Sequence, residues 1–141
     1  MKARLTRLAF LVVAIAFLPA FLCSQMLIKT PLFRVDVPFA FMAGGVHLPA
    51  GPYIVSHLDP FLIQIEAQDG KARALVHVAI EDINYQTRSK LTFHRYGDQY
   101  FLAHIWTAHD HQAHHCRKCR AERALEARAN RPEQTTVLAY K

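Results

Sequence analysis

The chain is poor in the residues from which familiar catalytic frames are built. Serine occurs only at positions 24, 56 and 89, and none of the three stands in a GxSxG setting, which excludes the nucleophile elbow of an α/β-hydrolase. No two of its 11 acidic residues sit in a recognisable general acid/base frame. Cysteine is limited to Cys23, Cys116 and Cys119, so a single CxxC stands with no second CxxC or HxxxH outside its own short stretch to complete a zinc-finger pattern. Arg120 follows Cys119 where c-type haem attachment needs histidine, and no βαβ pattern precedes the pair as a thioredoxin-like redox motif requires. Glycine is also scarce, and all five copies fall where the chain is expected to turn. No convincing repeat and no linker divides residues 30–141, which predicts one domain.

A basic stripe is missing as well. The net charge is +6, but residues 25–108 hold seven basic and seven acidic side chains. The excess comes from Lys2, Arg4 and Arg7 at one end and from residues 109–141, with seven basic against four acidic, at the other. A neutral centre argues against a nucleic-acid partner, which would require a clustered basic face.

The N-terminal stretch "MKARLTRLAFLVVAIAFLPAFLCSQ" has a basic head, an apolar run and a helix-breaking Pro19, the order of a secretory signal peptide over residues 1–25. An uncut anchor is the alternative, because no charge occurs from Leu8 to Ile28, a length that spans a bilayer. Either way the folded part is expected outside the cytoplasm, periplasmic or extracellular, touching membrane only through residues 8–28 if they stay attached. In an oxidising compartment Cys116 and Cys119 could pair.

Beyond the leader the pattern changes to period two. Val35, Val37, Phe39 and Phe41 share one face of an expected strand over 34–41, placed at a sheet edge because Pro38 has no N–H to give. Phe61, Ile63, Ile65 and Ala67 alternate likewise, as do Ala74, Val76, Val78 and Ile80. Gly97-Asp98 joins two more strands in a hairpin. Along Tyr100–Thr107 both faces are apolar, Phe101, Ala103 and Ile105 on one and Tyr100, Leu102, His104 and Trp106 on the other, so both are expected to be covered. The cover is an expected helix from Arg117 to Ala129, in which Lys118 and Glu122 stand at pairing distance and Leu125 is the one large apolar residue. "TTVLAY" reads as a last strand. The fold class that follows is all-β: a small antiparallel β-sandwich or partly open barrel of about seven strands, with an N-terminal signal or anchor helix and a C-terminal helix.

Three blocks carry a resemblance. "VPFAFMAGGVHLPAGPYIV", "LTFHRYGDQYFLAHIWTA" and "CRAERALEARA" resemble a family of small exported bacterial proteins with the patterns VPFxFxxGGxxLPAGxY and FHRYGDxYFLxxIW followed by a SRAERELA-like helix, over most of residues 33–129. The resemblance implies export and this fold, and it brings no activity, cofactor or substrate. The chain departs from the pattern at "HHCRKCR", where relatives carry a loop like GRELPKS.

Two groups stand out as candidate sites. Residues 109–119, "HDHQAHHCRKC", read as a hydrophilic loop in which His111, His114, His115, Cys116 and Cys119 offer nitrogen and sulfur to zinc or copper, or form no site at all. The hairpin "FHRYGDQYF" gathers His94, Arg95, Tyr96 and Asp98 at one turn, either as a partner or ligand site or with Arg95 pairing Asp98 to fix the turn and His94 facing outward. The expected role is non-catalytic: an exported envelope domain binding an envelope protein or a small ligand, without a cofactor. A metal-binding protein using 109–119 is the first alternative, and an exported enzyme with an unrecognised site is the second. Strand addition at 34–41 is the expected contact mode.

Overall fold

The computed structural model describes residues 29–128 and 131–140. The leader over 1–25 and the anchor alternative over 8–28 lie outside the described residues. The chain forms β1 (Thr30–Val37), β2 (Phe41–Ala43), β3 (Val46–Leu48), β4 (Gly51–Asp59), β5 (Leu62–Ala67), β6 (Arg73–Gln86), β7 (Lys90–Tyr96), β8 (Gln99–Trp106) and β9 (Asp110–Cys116). A helix α1 (Arg120–Glu126) and the strand β10 (Glu133–Tyr140) follow.

Eight of these strands close into an antiparallel barrel that runs β1, β4, β5, β6, β9, β8, β7, β10 and back to β1. Closure rests on two short seams. β8 meets β9 over three residue pairs, His104 with His115, Ile105 with His114 and Trp106 with Ala113. β1 meets β10 over two, Arg34 with Tyr140 and Val35 with Ala139. The all-β expectation holds, and the barrel is closed rather than partly open. The expected count of about seven strands becomes ten, because β2 and β3 form a separate hairpin beside β8 and the segment expected as a loop is the strand β9.

The period-two pattern sets which side chains fill the barrel. In β6 Ala74, Val76 and Val78 are buried while Arg73, Leu75 and His77 are exposed. Val35, Val55, Ile63, Ile65, Leu91 and Ile105 are fully buried and join one core. An eight-stranded barrel has an interior just wide enough for side chains to fill, and here they do. The β2–β3 hairpin plugs one end: Phe41, Ala43 and Leu48 are buried, and the Phe41 ring lies edge-on to Tyr53 (5.3 Å) and Phe93 (5.2 Å). Its turn needs glycine at position 44, where φ is +57° and an added Cβ would lie 2.2 Å from the Leu75 carbonyl oxygen. Tyr53 donates its hydroxyl proton to the Pro49 carbonyl and so pins the "LPAGPY" turn. The opposite end carries the β4–β5, β6–β7 and β8–β9 turns, the start of β1 and the end of β10.

Four local expectations are corrected. β1 is an interior strand between β4 and β10, with Pro38 just beyond its end, so the proline caps a strand rather than marking an edge over 34–41. β8 does not alternate cleanly, because Ala103 is left unpaired in a bulge between the pairs Thr92–His104 and Phe93–Leu102. One bulged residue reverses every side chain beyond it. Leu102 and Ile105 therefore enter the core together, with Tyr100 packed against it, while Phe101 and His104 lie on the other side of the wall. The helix spans Arg120–Glu126 instead of starting at Arg117, because Cys116 ends β9 and Arg117 still donates its N–H to the His77 carbonyl. Lys118 pairs with Glu126 and not with Glu122, which is turned into the protein.

Candidate functional site

The histidine-rich stretch is the wall of the barrel and not a solvated loop. β9 lies between β6 and β8, both of which would otherwise expose unpaired backbone groups. That demand overrides the weak strand preference of "DHQAHHC". A strand sends successive side chains to opposite faces, and this separates the five candidate ligands. His114 and Cys116 point into the barrel, both buried, and Cys116 belongs to the core. His115 stands on the outer face, and His111 is exposed near Tyr85 (centroids 5.1 Å). Cys119 lies beyond the strand at the N-cap of α1, with its Sγ 3.7 Å from Met42 Sδ. Both thiols are free. Among the described residues no three His, Cys, Asp or Glu side chains gather closely enough to hold a metal ion.

Two other histidine groupings replace the expected one. Inside the barrel, His57 of β4 and His114 face each other with Nε2 atoms 3.2 Å apart. Burial first, and then the neighbouring His57, hold the His114 imidazole below its ordinary pKa of 6.5. Outside the barrel, His94, His104 and His115 form a row across β7, β8 and β9, with ring centroids 6.4 Å and 4.7 Å apart. His104, in the middle, is held below 6.5 by burial first and then by His115 and His94. Trp106 packs alongside and donates its Nε1–H to Thr92 Oγ1 at 3.0 Å, with the Lys90 ammonium 4.7 Å over its ring.

The helix α1 lies against this outer face. Its one buried residue is Glu122, whose Oε1 is 2.8 Å from His94 Nδ1. A buried carboxylate must be paired, and a seven-residue helix cannot stand alone. The Glu122–His94 bond supplies both. The helix is therefore anchored on β7, beside β8, by the Glu122–His94 hydrogen bond.

The hairpin candidates divide in the same way. His94 and Tyr96 are buried, with the Tyr96 ring edge-on to Phe101 at 5.7 Å. His94 does face outward from the barrel but is covered there by α1, and the expected Arg95–Asp98 pair is corrected. Arg95 Nε donates to the Gly97 carbonyl at 2.8 Å and its Nη1 lies 3.5 Å from Glu133, while Asp98 is exposed. Pairing β10 against β7 sets Glu133 opposite Arg95, which no local pattern could announce.

A large concave feature of the surface lies at the unplugged end. A groove of about 890 Å³ runs between β1, the end of β10 and the β6–β7 and β8–β9 turns. Leu32, Phe33, Ile54, Leu138 and Tyr140 give it apolar walls. Lys29, Arg34, Arg88 and His109 supply its polar rim, and no carboxylate is among the described residues that line it. His109 adopts a left-handed backbone (φ 63°), a strained conformation for a residue other than glycine, and accepts or donates a hydrogen bond with Tyr85 Oη at 2.8 Å. Ser56 also lines the groove, fully buried, and its Oγ has no hydrogen-bond partner among the described residues. None of these residues was singled out from sequence, because they come from five separated segments. The exposed Leu138 and Tyr140 alternating in the last strand are the one local signal that pointed there.

No family model, no curated protein and no solved structure matches the chain.

Proposed function

We propose that this chain is an exported, non-catalytic binding barrel of the cell envelope, and that the groove at the unplugged end is where it binds. The observation that carries the reading is the contrast between a filled interior and a large apolar groove with polar groups on its rim, the usual form of a ligand site. The leader-like residues 1–25 support export, as does the resemblance to small exported bacterial proteins. The occupant is an envelope protein segment or a small ligand, without a cofactor. The strand-addition mode is not retained at 34–41, since β1 is already paired on both sides.

The zinc or copper reading of 109–119 loses its main support, because alternation along β9 sends His114 and Cys116 away from His115. The enzyme reading gains none: the buried Cys116 thiol is pushed up by burial first and then by Glu122, which makes it a poor nucleophile.

Cell fractionation followed by native mass spectrometry tests the proposal. The expected result is a chain in the envelope fraction that retains a non-metal mass or a partner, with retention lost in Leu138→Asp. A cytosolic chain would remove export. A stoichiometric metal, lost in the Cys116→Ser/Cys119→Ser double variant, would move the assignment to the metal-binding alternative.

A further inference from the structure

We infer that the groove takes an amphipathic anion, and specifically one acyl chain and the head group of an anionic phospholipid; this rests on the binding reading above and names its ligand. The argument begins with the sorting of side chains. Leu32, Phe33, Leu138 and Tyr140 form a continuous apolar lining, and Leu138 and Tyr140 remain 53% and 44% exposed. Large apolar side chains left exposed along a groove mark a surface meant to be covered.

The charge around that lining is of one sign. Lys29, Arg34 and Arg88 border it, Arg34 and Arg88 are both exposed, and no acid is among the described lining residues, although Glu66 pairs with Lys29 at one margin. Arginine offers a fork of N–H donors that suits phosphate oxygens. A neutral apolar ligand would leave these charges without a role, and a cationic one would be repelled. The Ser56 hydroxyl, buried in the groove without a partner among the described residues, is a further donor or acceptor for a ligand.

Size and position complete the case. A volume of about 890 Å³ falls in the range of small-molecule sites and accommodates a chain with a head group. Lys29, on the rim, directly follows the charge-free run from Leu8 to Ile28. A chain extends at most about 3.3–3.6 Å per residue. Whenever that run is in a membrane, the groove is held within a few residues of the lipid head groups, where its cations meet anionic lipid at high local concentration.

Photocrosslinking in the intact chain tests this. p-Benzoylphenylalanine replaces the exposed Leu138 in the full-length protein, expressed in an exporting bacterium, and irradiated adducts are read by mass. The expected adduct is an anionic phospholipid, and its yield drops at least fivefold in Arg34→Gln/Arg88→Gln while the β circular dichroism is unchanged. Equal yields of neutral and anionic lipid adducts overturn the inference, as does an unchanged yield in the double variant. A crosslink to residues 1–28 of the same chain also overturns it, because the groove would then be filled internally. A crosslink to an envelope protein overturns the lipid assignment and leaves the binding reading standing. No adduct, together with no retained mass in the native spectrum, removes both.

Discussion

Cys116 and Cys119 are three positions apart and chemically unlike. Cys116 ends β9 inside the core, where burial raises its thiol far above the ordinary range, while Cys119 sits half-buried at the helix N-cap. Only the thiolate reacts at a useful rate. Folded protein treated with iodoacetamide at pH 8 is therefore expected to be alkylated at Cys119 and spared at Cys116, with both modified in urea. Peptide mass spectrometry reads the two sites separately, and equal labelling of both in the folded state would contradict the burial of Cys116. The sequence displayed the CxxC plainly, but not that a strand boundary falls inside it. Its spacing suggested a shared task; alternation along β9 gives one thiol to the core and the other to a turn. Glycine was more legible. Gly44 was expected in a turn and is in one, although its closeness to the Leu75 carbonyl depends on how the hairpin folds back on β6.

At the scale of elements, α1 depends on one bond. Glu122 is 2% exposed and bonded to His94, and no other residue of the helix is buried. Replacing it with alanine removes the anchor and leaves His94 buried without its partner, at a cost of about 2 kcal/mol. Glu122→Gln keeps one hydrogen bond and is expected to lose about half as much. Urea unfolding measures both. Hydrogen exchange should show residues 120–126 opening in the alanine variant while β7 and β8 stay protected. Unchanged exchange in the helix would mean that something other than Glu122 holds it. The sequence called for a helix as cover because β8 is apolar on both faces, and the helix is anchored on the neighbouring β7. Sequence reading missed the anchor, since a glutamate in an Ala/Arg/Glu-rich helix looks like any solvated one. It missed β9 for a related reason: three histidines and an aspartate resemble a loop until two neighbouring strands need a partner.

For the whole molecule, the barrel combines a legible rhythm with an illegible closure. Ile63, Ile65, Ala74, Val76 and Val78 could be read in advance as inward, although Phe61 and Ile80, expected on the same faces, are exposed, whereas the pairing of β1 with β10, more than a hundred positions apart, leaves no local trace. Closure also buries histidines, and that sets a pH dependence. His104 and His114 are both held below 6.5 by burial and by neighbouring imidazoles. Their neutral forms are favoured in the folded state, so as pH falls through 6.5 the unfolded chain takes up protons that the folded sites resist. Stability from these two groups is complete above that value and declines below it. Urea midpoints followed by the fluorescence of Trp106 should fall between pH 7.5 and 5, and the fall should be shallower in His104→Gln. A midpoint that rises over this interval would show that the burial of these rings has been misjudged.

The position of β10 bears on how such a chain comes into being. It follows the other nine described strands in chain order, yet it stands between β7 and β1 in the ring of strands. Until residues 133–140 have emerged, the earlier strands form at most a curled sheet with two raw margins. Under the proposed export, the polypeptide would cross a membrane in a form that cannot yet shut, and the ring would lock only after residues 133–140 had followed.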